Sequence, residues 1–390
     1  MTIEDRVRNI ISYALFGATL ILSTYNLYYS LPLWVLLVIY GFKTNRSLTT
    51  FLLTRVIDAL IVLLAVLVIT VAMFSGTIAE IKKEMIIDNI KRSVMSNPQL
   101  VQKLGEHVKE YIQETAEKII KAQGLDRPWY ENLPAYLSGV VTLDLKSQIL
   151  TSNSGSRVVR DIIMERLPKT VLLFTTSTIV TIVIGIVVGM IAAKKRGSLL
   201  DKLVTVFAMI TASFPMWWVG MIMIQVFAYA LNVFPSGGMH TIPPPSGIDY
   251  YLDLLWHMAL PLMTIVLVSF GGWAYVTRNI LLGTLKEDFV LAAKARGLLE
   301  RTVLIRHVLR PSLPPIVTIM ALSLLASLTG AIITEIVFNW PGMGMLFWEA
   351  IETLDVPVIL GLTYVSTLLF VVTMLILDIV YAILDPRVRR

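Results

Sequence analysis

The stretch EDFVLAAKARGLLERTVLIRHVLRPSLPP, running from Glu287 to Pro315, decides how the rest of the chain is laid out. It separates two apolar runs yet is itself basic, with Arg278, Lys286, Lys294, Arg296, Arg301, Arg306 and Arg310 within or beside it. Short loops rich in Lys and Arg stay on the cytoplasmic side of a membrane protein, so this one is expected to face the cytoplasm. Phe289, Ala292 and Ala293 form a first amphipathic piece; Leu298, Leu299, Val303 and Leu304 form a second. Gly297 stands between them, and glycine accepts the positive φ that a sharp turn needs. The pattern predicts two short helices meeting at a glycine turn, with Ala292 and Ala293 small enough for a partner to come close. A compact hook held between two membrane helices suits a mechanical contact better than chemistry.

Composition agrees with that setting. Of the 390 residues, 56% are hydrophobic and 15% charged, whereas soluble domains are nearer a quarter charged. Long apolar runs then mark an integral membrane protein. The net charge of +6 does not point to nucleic acid, because the Lys and Arg residues cluster at the ends of apolar runs. There is no cysteine, hence no disulfide or thiol chemistry. His107, His240, His257 and His307 are scattered without metal-ligand spacing. The start, MTIEDRVRN, leads into apolar sequence with no small-x-small cleavage pattern.

Taken in order, Ile10 to Tyr28 and Leu31 to Phe42 read as a hairpin turning at Ser30-Leu31-Pro32. Phe51 to Phe74 is a clear span. Residues 76–168 form a long polar segment in which Ile78 to Val94 and Leu100 to Ala122 carry apolar residues at helical spacing, so two amphipathic helices are expected outside the membrane. Val171 to Ala193 spans back to Lys194, Lys195 and Arg196. Val204 to Leu231 spans outward, and Pro215 within it should kink or interrupt the helix. Residues 232–253 hold no Lys or Arg and read as an outside loop. Leu254 to Tyr275 spans inward; His257 at its outer end is expected to satisfy backbone groups. Ile316 to Phe338 spans outward after the hook, Pro341, Gly342 and Gly344 make an outside turn, and Val358 to Leu384 returns. Both termini are expected in the cytoplasm.

Several of these words resemble one family. Ala292-Ala293, then Gly297 after three residues, then His307 and Leu309 with Pro311 one position late, resemble the Glu-Ala-Ala loop of ABC-importer permeases; Leu291 stands where that loop often has Glu. GLDRPWYENLPAYL (Gly124–Leu137), ERLPKT (Glu165–Thr170), FPMWWVGM (Phe214–Met221), HMALPLMT (His257–Thr264) and TEIVFNWPGMG within Thr334–Ile351 are similar to the dipeptide/oligopeptide permease branch. The resemblance covers about Phe51 to Arg390. It implies an all-α polytopic membrane protein with a type I ABC-importer permease core of six transmembrane helices. Its expected divisions are an additional N-terminal transmembrane hairpin (1–48), a first core span (49–75), an extracytoplasmic helical insertion (76–168), and five further core spans (169–390) with a cytoplasmic coupling loop at 279–315.

The resemblance also implies a function: a permease subunit, not an enzyme, forming half of a pathway for peptides, or alternatively for oligosaccharides. The implied partners are a second homologous permease subunit, two cytoplasmic ATPase subunits, an extracellular substrate-binding protein and the lipid bilayer of the cell membrane. The chain has no G-x-x-x-x-G-K-[ST] loop to cradle phosphates, so it is expected to bind no cofactor, with ATP and Mg held by the partner ATPase subunits. Coupling to them is expected at Ala292, Ala293, Arg296, Gly297, Leu298 and Leu299. Ser323, Ser327 and Thr329, which follow the hook, and Glu335 beyond them are the pathway or gate candidates. An ion-coupled secondary transporter would need ionisable residues near the midplane, and Asp58, Glu335 and Asp378 all lie toward span ends. A membrane metalloprotease would need His-Glu-x-x-His, which is absent. The polar segment 76–168 is expected to pair its two apolar stripes and to roof the pathway where a binding protein docks.

Overall fold

The computed structural model describes residues 46–384 except 97, 99–101, 103, 123–125 and 127. The expected N-terminal hairpin and the closing Asp385-Pro386-Arg387 lie outside the described residues. Among those described, regular structure is helical apart from an isolated antiparallel bridge between Lys146 and Val158. Two compact units can be distinguished: Val66–Ser366, and a smaller one containing residues 46–65 and 367–384. In the smaller unit Arg55 pairs with Asp378 at 3.3 Å and lies over the Phe51 ring. An acid that would be costly alone in an apolar span thus has its counter-charge.

The helices in order are α1 (Arg46–Met95), α2 (Val108–Ala122), α3 (Trp129–Thr142), α4 (Val159–Lys194), α5 (Leu199–Ser213), α6 (Met216–Ala230), α7 (Ile248–Thr284), α8 (Asp288–Ala295), α9 (Glu300–Ser327), α10 (Ile332–Val337), α11 (Met343–Glu352) and α12 (Val356–Leu384). Five of them contain stretches long and apolar enough to cross a membrane, in α1, α4, α7, α9 and α12; the bent pair α5–α6 makes a sixth if counted as one span. The protein is a polytopic, all-α membrane protein.

Three expected boundaries are corrected, and one expected break is found. The first span and the first amphipathic helix are one 50-residue helix, α1. Gly76 between them does not interrupt it, since a single glycine costs a helix only about 1 kcal/mol. Helix α4 begins at Val159, inside the segment assigned to the outer insertion, and carries Pro168 within it. The break expected at Pro215 in the run Val204 to Leu231 is present: α5 ends at Ser213, Pro215 caps α6, and the two halves meet at 98°. Pro215 has no amide hydrogen to continue the ladder. Likewise the helix after the hook stops at Ser327; Gly330 turns the chain at φ +66°, and α10 starts afresh.

The core of the larger unit is built on α4, α7 and α5. Gly189 on α4 faces the α7 backbone so closely that a Cβ there would lie 2.6 Å from the Ala274 carbonyl oxygen. Small residues at such contacts let membrane helices approach, where dispersion drives association. Outside this core, Ile90 and Val94 of α1 pack with Leu104 and with Val108 and Ile112 of α2. The two polar-segment stripes therefore cover each other.

Candidate functional site

The hook has a buried base and an exposed face. Helix α8 is short, and Val290 and Ala293, three positions apart on its inner side, pack with Ala193, Leu281, Val303 and Val308. Below them Thr284 Oγ1 lies 2.7 Å from Ser312 Oγ, and Ser312 donates to the Val308 carbonyl. This ties the end of α7 to α9. Gly297 follows α8 at φ +72°, with its amide donating to the Lys294 carbonyl. A Cβ at Gly297 would meet nothing within 4 Å, so backbone conformation, not space, demands glycine there.

The second short helix expected after Gly297 is the opening of α9. It passes through a π-helical segment, Val303–Leu309, before the α-helix from Arg310. Pro311, Pro314 and Pro315 offer no amide to that first stretch, and wide turns are a common response to a disturbed ladder. Of the coupling candidates, Ala292, Arg296, Gly297, Leu298 and Leu299 are exposed, Leu299 at 78%, while Ala293 is buried at 4%. The small size of Ala293 serves the base of the hook, and only Ala292 can admit an outside surface. Phe289 and Leu291 are also exposed. Reading the stripe through Phe289 hid this, because the inward pair is Val290 and Ala293.

Not all of the basic charge around the hook is available to it. Arg278 donates to both carboxylate oxygens of Asp201, Nη2 to Oδ2 at 2.9 Å. Asp201 also accepts from the Gly197 amide at 2.8 Å, and Ser198 Oγ caps α5 by accepting from the Asp201 amide. Arg278 thus locks the α4–α5 turn to α7. A cavity of about 250 Å³ opens between the hook and the ends of α4 and α7.

The pathway candidates are not brought together. Ser327 is buried, its Oγ 3.1 Å from Thr175 Oγ1 of α4 and donating to the Leu324 carbonyl, so it joins two helices. Thr329 donates to the Ala326 carbonyl at the end of α9. Ser323 is half-buried on α9.

Glu335 lies elsewhere, fully buried at the turn between α10 and α11. Its Oε1 accepts from Thr170 Oγ1 at 2.8 Å; its Oε2 accepts from the amides of Gly344 at 2.7 Å and Met345 at 3.1 Å. Thr170 in turn accepts from the Met343 amide, and Trp340 Nε1 donates to the Lys169 carbonyl. The glycines follow from this: a Cβ at Gly342 would clash with the Glu335 carboxylate, and one at Gly344 would lie 2.6 Å from Ile332 Cα.

A second buried carboxylate was missed in the sequence. Asp355 is fully buried and accepts from Ser147 Oγ at 2.5 Å and from the amides of Gln148, Ile149 and Leu150 at 3.0–3.2 Å. It pins the loop between α3 and α4 to the turn before α12. An aspartate in a Leu-Asp-Val-Pro turn gives no local sign of such a remote partner. His257 is buried with Nδ1 2.9 Å from the Asp253 carbonyl oxygen, a backbone group one turn earlier.

Residues 185–390 match the family described as binding-protein-dependent transport system inner membrane component. The chain is 35% identical over 272 residues to the oligopeptide transport system permease protein AppB of Bacillus subtilis (strain 168), covering 70% of this chain and 84% of that protein. It is 33% identical over 282 residues to the di/tripeptide transport system permease protein DppB of Pseudomonas aeruginosa (strain UCBPP-PA14), covering 68% and 82%. It is 33% identical over 273 residues to the glutathione transport system permease protein GsiC of Escherichia coli O6:H1, covering 70% and 84%.

Proposed function

This chain belongs to the binding-protein-dependent transport system inner membrane component family, and on that premise we propose that it forms half of the translocation pathway of an ATP-driven importer for peptides. Its proposed partners are a second homologous permease subunit, two cytoplasmic ATPase subunits that bind ATP and Mg, and an extracellular binding protein that delivers cargo. The peptide cargo is supported by the names of its relatives, whose substrates are oligopeptides, di- and tripeptides and glutathione.

The observation that carries the reading is the hook. It presents exposed Phe289, Leu291, Leu298 and Leu299 beyond the ends of α7 and α9, on a base tied into both helices. Apolar side chains left out of a packed base are a docking surface. The proposed ATPase contact is Ala292, Arg296, Gly297, Leu298 and Leu299, with Ala293 beneath them. ATP binding closes the ATPase pair, and the hook carries that movement into α7 and α9. The pathway changes state only as far as ATP binding favours one arrangement over the other. Ser323 and Thr329, half-buried and exposed, remain the pathway-lining candidates, while Ser327 and Glu335 are buried against structural partners.

Gly297→Val tests the coupling. A β-branched side chain at φ +72° costs about 1–3 kcal/mol, which reshapes the turn without touching a span. In the reconstituted transporter, stimulation of ATP hydrolysis by loaded binding protein should fall at least tenfold, on the order of 1.4 kcal/mol or more of lost coupling, while ATPase subunits still co-purify. Normal transport by an intact Gly297→Val complex would overturn the assignment.

A further inference from the structure

The cavity beside the hook has a chemistry that the proposed coupling does not use. Lys194, Arg196, Lys286 and Lys294 line it, against a single acid, Glu300. Lys194 Nζ lies 3.2 Å from Glu300 Oε2. Among the described residues, Arg196, Lys286 and Lys294 have no such ion pair, and Asp201 is committed to Arg278. Ala193, Leu282, Leu285, Val303 and Leu304 form the apolar wall. The cavity is therefore amphipathic, with cationic side chains on one part of its lining and an apolar wall on another.

Its position fixes what could fill it. Lys194 is the last residue of the spanning helix α4, Lys286 follows the end of α7, and Glu300 begins α9. Three apolar helices meeting the polar phase put this cavity at the depth of lipid headgroups. Basic pockets between spanning helices favour anionic headgroups. A volume of about 250 Å³ is room for roughly eight waters at about 30 Å³ each, enough for a phosphodiester and the glycerol behind it. Inorganic phosphate would satisfy the cations but leave uncovered the faces of Leu282, Leu285 and Leu304 that line the cavity, whose other faces pack on the hook core.

We propose that this cavity is a binding site for the phosphate of an anionic phospholipid, which braces α8 against the ends of α4 and α7. The inference needs only the cavity's place at the ends of three spanning helices and stands apart from the transport reading.

The test is lipid retention by the purified full-length chain, measured by native mass spectrometry from micelles doped with phosphatidylglycerol or phosphatidylcholine. Each Lys or Arg near an anionic surface contributes about 1 kcal/mol, so Lys194→Gln/Lys286→Gln/Lys294→Gln should weaken phosphatidylglycerol retention on the order of a hundredfold. The corresponding triple Lys→Arg variant should keep it, which separates lost charge from lost fold. Lys91→Gln/Lys109→Gln/Lys121→Gln, on α1 and α2, should leave it unchanged. Equal retention of the two lipids, or no loss in the Gln variant, overturns the site. Displacement by excess inorganic phosphate would make the ligand a free ion, and loss of lipid on adding the ATPase subunits would make it an acidic protein segment; either result overturns the lipid assignment.

Discussion

Glu335, expected as a pathway or gate candidate, is held in the structure by donors of its own chain. An acid in a mostly apolar stretch reads as a gate, because ionisable groups in membranes usually serve transport. Here three donors surround the carboxylate: the Thr170 hydroxyl and the amides of Gly344 and Met345. Removing an acceptor strands those donors, at roughly 1–3 kcal/mol for each one left buried. Glu335→Ala should therefore destabilise the purified protein by about 2–4 kcal/mol. Glu335→Gln should cost about 1 kcal/mol, because its amide oxygen can face Gly344 and Met345 while its NH₂ donates to Thr170. Thermal unfolding in one detergent, read as the order of midpoints, decides the matter: Ala and Gln variants of equal stability would remove the lock. Asp355 follows the same logic, a carboxylate satisfied by Ser147 and three consecutive amides. Neither partner set was legible, since each lies more than a hundred positions away or across a turn whose shape the sequence does not state.

At the scale of elements, periodicity found the helices and mislaid their ends. The apolar stripes of α1 and α2 were visible as Ile90, Val94, Val108 and Ile112 at helical spacing, and they pack together. What joined the stripe of α1 to the preceding span was invisible, because Gly76 could equally have ended a helix. Pro215 announced its break because its missing amide is a local fact; the 98° bend depends on what surrounds it. The break at Gly330 had no proline to announce it; its φ of +66° favours glycine, and remote Thr170, whose Cγ2 would lie 2.6 Å from a Cβ there, leaves no room for a side chain. A prediction follows for α2. A 15-residue helix is marginal alone in water, and its Glu114–Lys118 pair is fully exposed, although the Lys118 hydrogen bond does hold the Glu114 carboxyl below its ordinary range. The Val94 contact must then supply much of its order. Val94→Asp should abolish hydrogen-exchange protection across Val108–Ala122 while leaving Ile248–Thr284 protected, and Glu117→Gln should change neither. Protection of α2 that survives Val94→Asp would show that something other than the stripe holds it.

For the molecule as a whole, the question is which ends share a side of the membrane, and here charge and contact can be set against each other. Lys194, Lys195 and Arg196 after α4, and the run from Lys286 to Arg310 around the hook, are expected inside; residues 232–253 and 339–355 have no Lys or Arg and are expected outside. The charge rule weakens for long loops, so it decides nothing about α2. Contact does part of that work. Asp355 holds residues 147–150 to the turn before α12, and the Gly238 amide donates to the Phe338 carbonyl at the end of α10; α11 between these two turns has only ten residues, too few to cross a membrane, so the α3–α4 loop, the 232–247 loop and the turn before α12 must share a side, whichever it is. Because the chain has no cysteine, one introduced cysteine is a unique label. In intact cells an impermeant maleimide should modify Glu110→Cys, Ser246→Cys and Glu352→Cys. It should reach Lys195→Cys and Lys294→Cys only after the membrane is opened. Labelling at Glu352 but not at Ser246 would contradict the contacts; labelling of Glu110 only in opened cells would separate α2 from the outer turn. Labelling of Lys294→Cys from outside would place the hook away from any cytoplasmic ATPase, and the transport reading would fall with it.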